Sequence, residues 1–485
     1  MKSLFFRDTR MAGLRIIAIL ISALCLSIAG SFEAVDASVK FERACKDSGK
    51  IERHVRKVLG RNLPRFQLRS FDTRSFMGSG GDAIEMLLPN KQNKLVRQKL
   101  QIRRNPGRAD GLTTGFSKIG GRSKGRSKHR KVKLPREHNY FLGGCKKGNL
   151  TCGNLAVVGN AVEGFVIDKN VGFSFFEPVD MLLARHGVKK WRGDRNCHIL
   201  YNANFHSAIP FPNKSSSTPA VGERGGIMQS HRQIVRRATR ALERVGDMLI
   251  EPAQAMPYPT DLSIILDADA AFYSLSPSTW AARQLSVING VRLIYWWLEP
   301  WSNNNWSIKL NVVGQEHWNP GYGPTTTNKD DLIEEINSLD YYMIKPPAND
   351  EVSYYFAGYD LSGGIAGVAY RRGLCDWSEY DDTWGDQHWN RAWGQQVMDA
   401  DSGYEFSTLY GRMVVAAHEI GHTLGAAHDD GCTGDGCCAA GLLSFLCGTS
   451  LLKSGAEGGV APDFRQPFFN STASESIKAC VDDVY

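Results

Sequence analysis

The sequence predicts a β-rich unit followed by an α/β domain in which a mixed sheet carries packed helices. In the second half, a buried-strand pattern at Leu262–Leu266 precedes helical spacing over Trp280–Leu298, and a half-buried strand is predicted over Trp306–Val312. In the first half, Ala161–Phe176 alternates as a hairpin does, and Cys197–Asn202 is typical of a further strand.

Three further elements belong to the second half. An acidic first turn favours a helix over Asp330–Leu339. Strands are predicted over Tyr354–Tyr359 and Gly364–Tyr370. We expect the second of them at a sheet edge, because it is rich in glycine.

The chain has 485 residues, which is too long for one ordinary domain and indicates two folded units. Hydrophobic residues make up 42% and aromatic residues 10%, which is enough for packed cores and excludes wholesale disorder. Residues 38–140 are basic, rich in glycine and arginine and weakly periodic, and we expect them to be poorly ordered. We expect a folded part over residues 141–208 and a linker over residues 209–240.

The net charge of +8 is concentrated in the first half, above all in the basic tract Arg122–Arg136. A tract of this kind could bind nucleic acid or an anionic surface. A solvated connector is the preferred interpretation, because no nucleic-acid-binding module accompanies the tract. We therefore expect no nucleic-acid partner.

The N-terminus is typical of a targeting segment. Basic residues precede the apolar run Ile16–Ala29, which is shorter than the roughly 20 residues that a membrane-spanning helix needs. A signal peptide over residues 1–30 is the preferred interpretation, and an uncleaved membrane anchor is the alternative. We expect a secreted, extracellular protein without a membrane anchor.

In an exported protein, cysteines are expected to form disulfides. The chain has eleven, and an even set of six falls in the second half, where an oxidising compartment predicts three disulfides. These six are Cys375, Cys432, Cys437, Cys438, Cys447 and Cys480. Acceptor sequences for N-glycosylation at Asn149, Asn213, Asn305 and Asn470 agree with this route.

One segment of the sequence carries metal-binding chemistry. His418 and His422 are four residues apart on a predicted helix, so both imidazoles lie on one face and can reach one zinc ion. Gly425 frees the backbone to turn, which would bring His428 round as the third ligand. Three protein ligands leave a fourth position for water, as in catalytic sites. The apolar arc that would anchor this helix consists of Leu409, Met413, Ala416, Ala417, Ile420 and Leu424.

Glu419 follows the first of these histidines and is predicted to be the catalytic residue. A free carboxylate beside a metal-bound water can take its proton and return it to the leaving amine. The alternative, histidines on an ordinary helix, would require three of only twelve histidines to fall in register with Glu and Gly by chance.

The segment HEIGHTLGAAHD, which ends at Asp429, resembles the metzincin signature in its adamalysin (reprolysin, ADAM-like) branch. The likeness extends over residues 141–480. Asp261–Asp267 resembles the first strand of that family and Lys309–Trp318 the third. Tyr359–Asp376 resembles the edge strand against which family members lay a substrate backbone. That likeness assigns substrate binding to Gly367, Val368 and Ala369.

The resemblance implies a catalytic domain with a twisted mixed sheet, an active-site helix and a small C-terminal subdomain, preceded by a β-rich propeptide domain. It implies a secreted endopeptidase with one zinc ion, made as a zymogen, monomeric, and acting on proteins or peptides. It also implies a propeptide over residues 31–240, a catalytic domain over residues 241–485, and a Cys375–Cys480 disulfide. The pairing of the other four cysteines stays open, and the family also allows a calcium ion near Asp261.

Three features depart from the family pattern. Leu443 stands where the family has the methionine of its Met-turn. No cysteine-switch motif is present; Cys197 or Cys152 could reach the zinc, although a structural cysteine is the preferred interpretation for each. A tryptophan-rich insertion over residues 377–393 could form a lid or a wall of the substrate site, or a packed surface loop.

Two features of the sequence point to functions other than that of a peptidase. A catalytically dead, metzincin-like binding protein is the main alternative, and Leu443 is the feature that supports it. An integrin-type tripeptide at Arg192–Asp194 is better explained by chance. For activation, Arg237–Arg240 fits the minimal pattern of proprotein convertases, with a basic helix face as the alternative.

Overall fold

The computed structural model describes residues 39–40, 43–59, 66–73, 76–77, 83–90, 92–105, 107–109, 112–119, 128–143, 152–168, 171–185, 188, 193–194, 196–202, 260–275, 277–296, 308–324, 326, 332, 335, 351–358, 367–369, 373–375, 391–395, 408–426 and 471–484. The expected signal peptide and linker, and the convertase pattern Arg237–Arg240, lie outside these residues.

The first half of the described chain is dominated by strands. Its elements are β1 (Val39–Lys40), β2 (Arg43–Ala44), α1 (Ser48–Leu59), β3 (Gln67–Ser70), β4 (Ala83–Pro89), β5 (Leu95–Arg104), β6 (Thr114–Ile119), β7 (Lys128–Lys133), β8 (Asn139–Gly143), β9 (Cys152–Val158), β10 (Ala161–Asp168), β11 (Gly172–Pro178), α2 (Val179–Arg185) and β12 (Cys197–Asn202).

Ten of these strands form one sheet in the order β1-β4-β5-β8-β9-β10-β11-β12-β3-β2. All neighbours are antiparallel except β1 and β4. The predicted hairpin is confirmed as β10–β11, and Gly172, with φ 76°, follows its turn. The predicted strand Cys197–Asn202 is confirmed with the same bounds.

The expectation of poor order over residues 38–140 was wrong for the described part of that region, which contains a helix and five complete strands longer than two residues. In β4, Ile84, Met86 and Leu88 are buried and alternate with more exposed neighbours. In the neighbouring strand β5, the basic residues Arg97, Lys99 and Arg103 are exposed, and basic residues of this kind hide the two-residue period in the composition. A Cys45–Cys197 disulfide also joins the region to β12.

The second half contains β13 (Thr260–Ala268), α3 (Ala270–Leu275), α4 (Trp280–Trp296), β14 (Ile308–Trp318), β15 (Glu351–Ala357), β16 (Gly367–Ala369), β17 (Arg391–Gln395), α5 (Leu409–Thr423) and α6 (Ser471–Val484). Of the predicted helix Asp330–Leu339, only Leu332 and Glu335 are described, and both are helical. None of the helices in the described ranges is long and apolar enough to cross a membrane.

Seven strands form a mixed sheet in the order β16-β17-β15-β13-β14-β6-β7. The predicted mixed sheet is therefore present, and β16 lies at its edge as expected. β17 overlaps the last three residues of the insertion 377–393 and forms a strand between β16 and β15. Residues 377–390 lie outside the described ones, so a lid, a wall or a surface loop stays a prediction for them. β6 and β7 come from the first half of the chain, so the basic tract is in part the edge strand β7 rather than a solvated connector.

Two helices pack on each other beside this sheet. A side chain at Gly290 of α4 would overlap Met413 of α5, so the two helices approach closely at this point. Tyr295 of α4 donates a hydrogen bond from its hydroxyl to the carbonyl oxygen of Ala417, at 3.0 Å. These contacts fix the position of α5, which carries the predicted metal ligands.

Candidate metal centre

The helix α5 begins with a well-formed cap. Thr408 has φ −73° and ψ 157°, and its side-chain oxygen accepts a hydrogen bond from the backbone N–H of Gly411 at 3.1 Å. Threonine suits this position because its hydroxyl satisfies an N–H that has no partner within the helix. Every residue of α5 is buried, so its polar side chains sit in a protein interior.

His418 and His422 point their Nε2 atoms at a common space. The two atoms lie 3.1 Å apart, and the two rings are nearly perpendicular, at 88°. Zinc–nitrogen distances of about 2.0–2.1 Å with a tetrahedral angle place two imidazole nitrogens roughly 3.3 Å apart. The pair therefore fits a shared zinc ion.

The tautomer of His422 also suits a metal ligand. Its Nδ1 lies 2.8 Å from the carbonyl oxygen of Ala426, a contact that requires Nδ1 to be the donor. Nε2 is then the unprotonated nitrogen. Hydrogen bonds of this kind commonly orient metal-binding histidines and set their tautomer.

The turn that was predicted at Gly425 is confirmed, with φ 98°. The N–H of Gly425 donates to the carbonyl oxygen of His422 at 2.8 Å, and the N–H of Ala426 donates to that of Gly421 at 2.9 Å. A residue with a Cβ resists this backbone conformation. The third predicted ligand, His428, lies two positions after the last residue described in this stretch.

The carboxylate of Glu419 completes the described part of the centre. His418, Glu419 and His422 offer ligand atoms within 4.8 Å of one another, and they are the only such group of three or more among the described residues. Glu419 is buried, and burial raises the pKa of its carboxyl well above the usual value. A nearby cation would favour the charged form again.

The edge strand β16 lies directly against this carboxylate. A Cβ at Gly367 would come within 2.5 Å of Oε1 of Glu419. Gly367 and Ala369 are half-buried, and Val368 lies between them, paired in register with Trp393 of β17. The three residues expected to bind substrate therefore belong to a strand that runs past the predicted catalytic residue.

The end of α5 is tied to two other segments. The N–H of Leu374 donates to the carbonyl oxygen of Thr423 at 3.1 Å. Its neighbour Cys375 forms a disulfide with Cys480 of α6, which is the pairing that the family resemblance implied. Sequence reasoning did not find the contacts made by Gly367, Leu374 and Tyr295, since no local pattern marks them.

Several predicted residues lie outside the described ones, namely His428, Leu443, Cys432, Cys437, Cys438, Cys447, Asn149, Asn213, Asn305 and Asn470. Cys197 is disulfide-bonded to Cys45, so it holds no thiol for zinc and the structural interpretation was the right one. Cys152 is buried on β9.

Two minor sequence features have local structural roles. The carboxylate of Asp194, in the integrin-type tripeptide, accepts a hydrogen bond from the N–H of Asn196 at 2.9 Å, within the turn before β12. Asp261 contacts Lys309 at 3.0 Å and Asn311 at 3.1 Å. The calcium ion near Asp261 stays a prediction.

The chain was compared with known proteins. Residues 258–449 match the family model Reprolysin_5, described as metallo-peptidase family M12. No curated protein matches the chain with significance. The matched segment begins just before β13 and includes α5 with its two described histidines. Over residues 258–449, the chain therefore belongs to the reprolysin-type metzincins of metallopeptidase family M12.

Proposed function

We propose that this chain is a secreted, zinc-dependent endopeptidase that is made as a zymogen and acts as a monomer on extracellular proteins or peptides. One observation carries the proposal. The Nε2 atoms of His418 and His422 lie 3.1 Å apart beside the buried carboxylate of Glu419, on the helix that the family match includes.

His418, His422 and His428 would hold the zinc ion. When bound, zinc supplies Lewis acidity, which polarises a peptide carbonyl and makes a bound water acidic. Ala426 holds the ring of His422 in the tautomer that presents Nε2. Leu443 would form part of the apolar floor beneath the ligands, where the family has methionine.

Glu419 would move the proton. Its carboxylate takes a proton from the attacking water and gives it to the leaving amine, so it serves first as base and then as acid. The absence of a side chain at Gly367 leaves room for the carboxylate at this place.

The edge strand β16 would align the substrate. An edge strand offers unpaired backbone N–H and C=O groups, to which an extended peptide can add as a further strand. Recognition of this kind depends on the peptide backbone, so it suits an enzyme that cuts within proteins. It places the peptide across Gly367–Ala369 and next to Glu419.

Export and activation rest on the sequence and on the disulfides. Cys45–Cys197 and Cys375–Cys480 suit an oxidising compartment, which a signal peptide over residues 1–30 would provide. The zymogen would consist of a propeptide over residues 31–240 and a catalytic domain over residues 241–485, cut after Arg240. N-terminal sequencing of the catalytic chain, isolated under denaturing conditions, should then begin between Ala241 and Tyr258, and a catalytic chain that still starts near residue 38 would contradict this.

Cleavage of casein or gelatin, measured with and without a chelator, tests the proposal. We expect cleavage that the chelator abolishes and added zinc restores. The second candidate is a catalytically dead binding protein, favoured by Leu443 in place of methionine. Absence of cleavage by a fully zinc-loaded, processed protein would favour that candidate.

A further inference from the structure

The second-half sheet is extended by strands from the first half of the chain. β6 runs parallel to β14, with Phe116, Ser117 and Lys118 in register with Glu316, His317 and Trp318. A second backbone contact lies further along β14, where the N–H of Ala109 donates to the carbonyl oxygen of Val312 at 2.8 Å. Without β6, the long strand β14 would be an exposed edge, which promotes aggregation.

Lys118 anchors this junction. It is fully buried, and its Nζ lies 2.6 Å from Oδ2 of Asp267 and 2.9 Å from Oε2 of Glu316. The same Nζ lies 5.2 Å from the ring centroid of Trp318. Both carboxylates and the indole belong to the second half, whereas the cation belongs to the first. Two buried carboxylates without this cation would be strongly destabilising.

A second buried charge cluster has the opposite arrangement. Here the cation, Arg412 of α5, belongs to the second half, and its Nη2 lies 3.4 Å from Glu177 and 3.6 Å from Glu163 of the first half. Glu177 also accepts hydrogen bonds from the N–H of Leu409 at 2.7 Å and from the hydroxyl of Tyr201 at 2.5 Å. Each half therefore buries a charge that the other half neutralises.

Apolar packing joins the two halves in the same region. Phe175 of β11 packs on Tyr410 of α5, with ring centroids 4.8 Å apart. One continuous hydrophobic core contains buried residues of both halves, such as Phe165 and Leu134 together with Leu285 and Val414. Such a junction resembles the interior of one domain more than a contact between two separable ones.

The contacts that Leu409, Tyr410 and Arg412 make with the first half fall on the first turn of α5, away from the metal ligands. Arg412 precedes His418 by six residues and His422 by ten, which corresponds to about 9 to 15 Å along the helix axis. Binding of the first half at this end does not require a group of that half to occupy the metal centre. Retention of the first half and access to the centre are therefore separate properties.

We infer that residues 39–202 form a lasting, non-covalent subunit of the peptidase half, which stays bound after the backbone is cut between them. The partner is thus this chain's own first half, held by the pairing of β6 with β14 and by the two buried charge clusters. The inference does not depend on peptidase activity or on natural processing, since any cut within residues 209–226 should give the same two-chain complex.

The test uses the full-length chain with a recognition site for a sequence-specific protease inserted after Ser217. After complete cutting, we expect both fragments to elute together in gel filtration at the volume of the uncut chain. Non-reducing electrophoresis in detergent should separate them, which shows that no covalent link holds them. Separate elution of two fragments, or a covalent link between them, would overturn the inference.

Two variants locate the anchor. In K118M, which keeps a long side chain but removes the charge, we expect at least a tenfold rise in the fraction of separated fragments on dilution. K309M is the matched control, because Lys309 pairs with Asp261 at 3.0 Å on an exposed surface within the second half alone. We expect it to leave coelution unchanged. An equal fraction of separated fragments in K118M and K309M would refute the role of Lys118. If K118M does not fold, the cut chain without substitutions still tests whether the two halves stay bound.

Discussion

The backbone of Gly367 lies so close to Glu419 that a Cβ at this glycine would come within 2.5 Å of the carboxylate oxygen Oε1. Real Cβ atoms essentially never approach another heavy atom this closely, so either the strand or the carboxylate would have to move. The position of the predicted general base therefore depends on a residue 52 positions earlier in the chain that has no side chain.

We predict that Gly367→Ala lowers kcat/KM about 100-fold, because a displacement of roughly 1 Å at a reacting group can cost that much. Zinc content should be unchanged, since the three atoms nearest to a Cβ at Gly367 all belong to Glu419, which is not a predicted ligand. Gly49→Ala is the control, because a Cβ at Gly49 meets nothing within 4 Å. Peptide-cleavage kinetics check the prediction, and activity of Gly367→Ala within threefold of the unsubstituted enzyme would contradict it.

The sequence predicted the parts of the site that are local to one helix. His418, Glu419, His422 and Gly425 fall within eight residues, so helical spacing and the freedom of glycine were enough to arrange them. The contacts of Gly367 with Glu419 and of Tyr295 with Ala417 join residues that are distant in the chain, and hydropathy patterns do not encode such pairings.

The same difference between local and long-range features applies to the prediction of the fold. Strands with a clear apolar pattern, such as Leu262–Leu266 and Cys197–Asn202, were predicted close to their observed positions. The strand β6 was missed because its region looked basic and aperiodic, and its pairing with β14 links residues about 200 positions apart. The strand β17 was missed because it has only five residues, three of them at the end of the tryptophan-rich insertion, and so short a strand carries no recognisable alternation.

Acid should destabilise the fold through His198. Its Nδ1 lies 2.7 Å from the carbonyl oxygen of Asn196, and its Nε2 accepts from the N–H of Val162 at 3.3 Å, so the buried ring is neutral. Burial lowers the pKa of His198 to about 4. An unfolded histidine titrates near ~6.5, so the folded state binds fewer protons between these two values.

The stabilising contribution of His198 is therefore fully present above about pH 6.5 and is lost as the pH falls towards 4. As the pH falls from about 6.5 to 4, we expect the unfolding free energy of the unsubstituted protein to fall further than that of His198→Asn. The difference between the two should be roughly 3 kcal/mol. Denaturant titrations at several pH values measure this difference. Parallel curves for the two proteins between pH 7 and pH 4 would contradict the assignment.

The two disulfides should differ in their effect on the metal centre. Removing either pair by double substitution to alanine should lower the unfolding free energy by about 2–5 kcal/mol. Only Cys375→Ala with Cys480→Ala should also weaken zinc binding, because Leu374, next to Cys375, bonds to Thr423 at the end of α5. The Cys45 and Cys197 pair is the control, and equal zinc affinity of both double variants would contradict this link.

Leucine in place of the Met-turn methionine should be tolerated. Leucine and methionine have similar volumes and are both apolar, and such substitutions usually cost less than about 1.5 kcal/mol. We expect Leu443→Met to change kcat/KM by less than about tenfold. Leu443→Asp should abolish zinc binding, since it buries a charge beneath the ligands. A natural protein that is inert, and that Leu443→Met alone activates, would support the catalytically dead relative.

The most direct test of a zinc peptidase centred on Glu419 is to measure zinc content and peptide cleavage together in Glu419→Gln and in the unsubstituted protein. Glutamine keeps the shape of the side chain but cannot take a proton from water. We predict one zinc ion per chain in both proteins and cleavage only by the unsubstituted one. Loss of zinc from Glu419→Gln, or turnover within tenfold of the unsubstituted enzyme, would contradict the role assigned to Glu419.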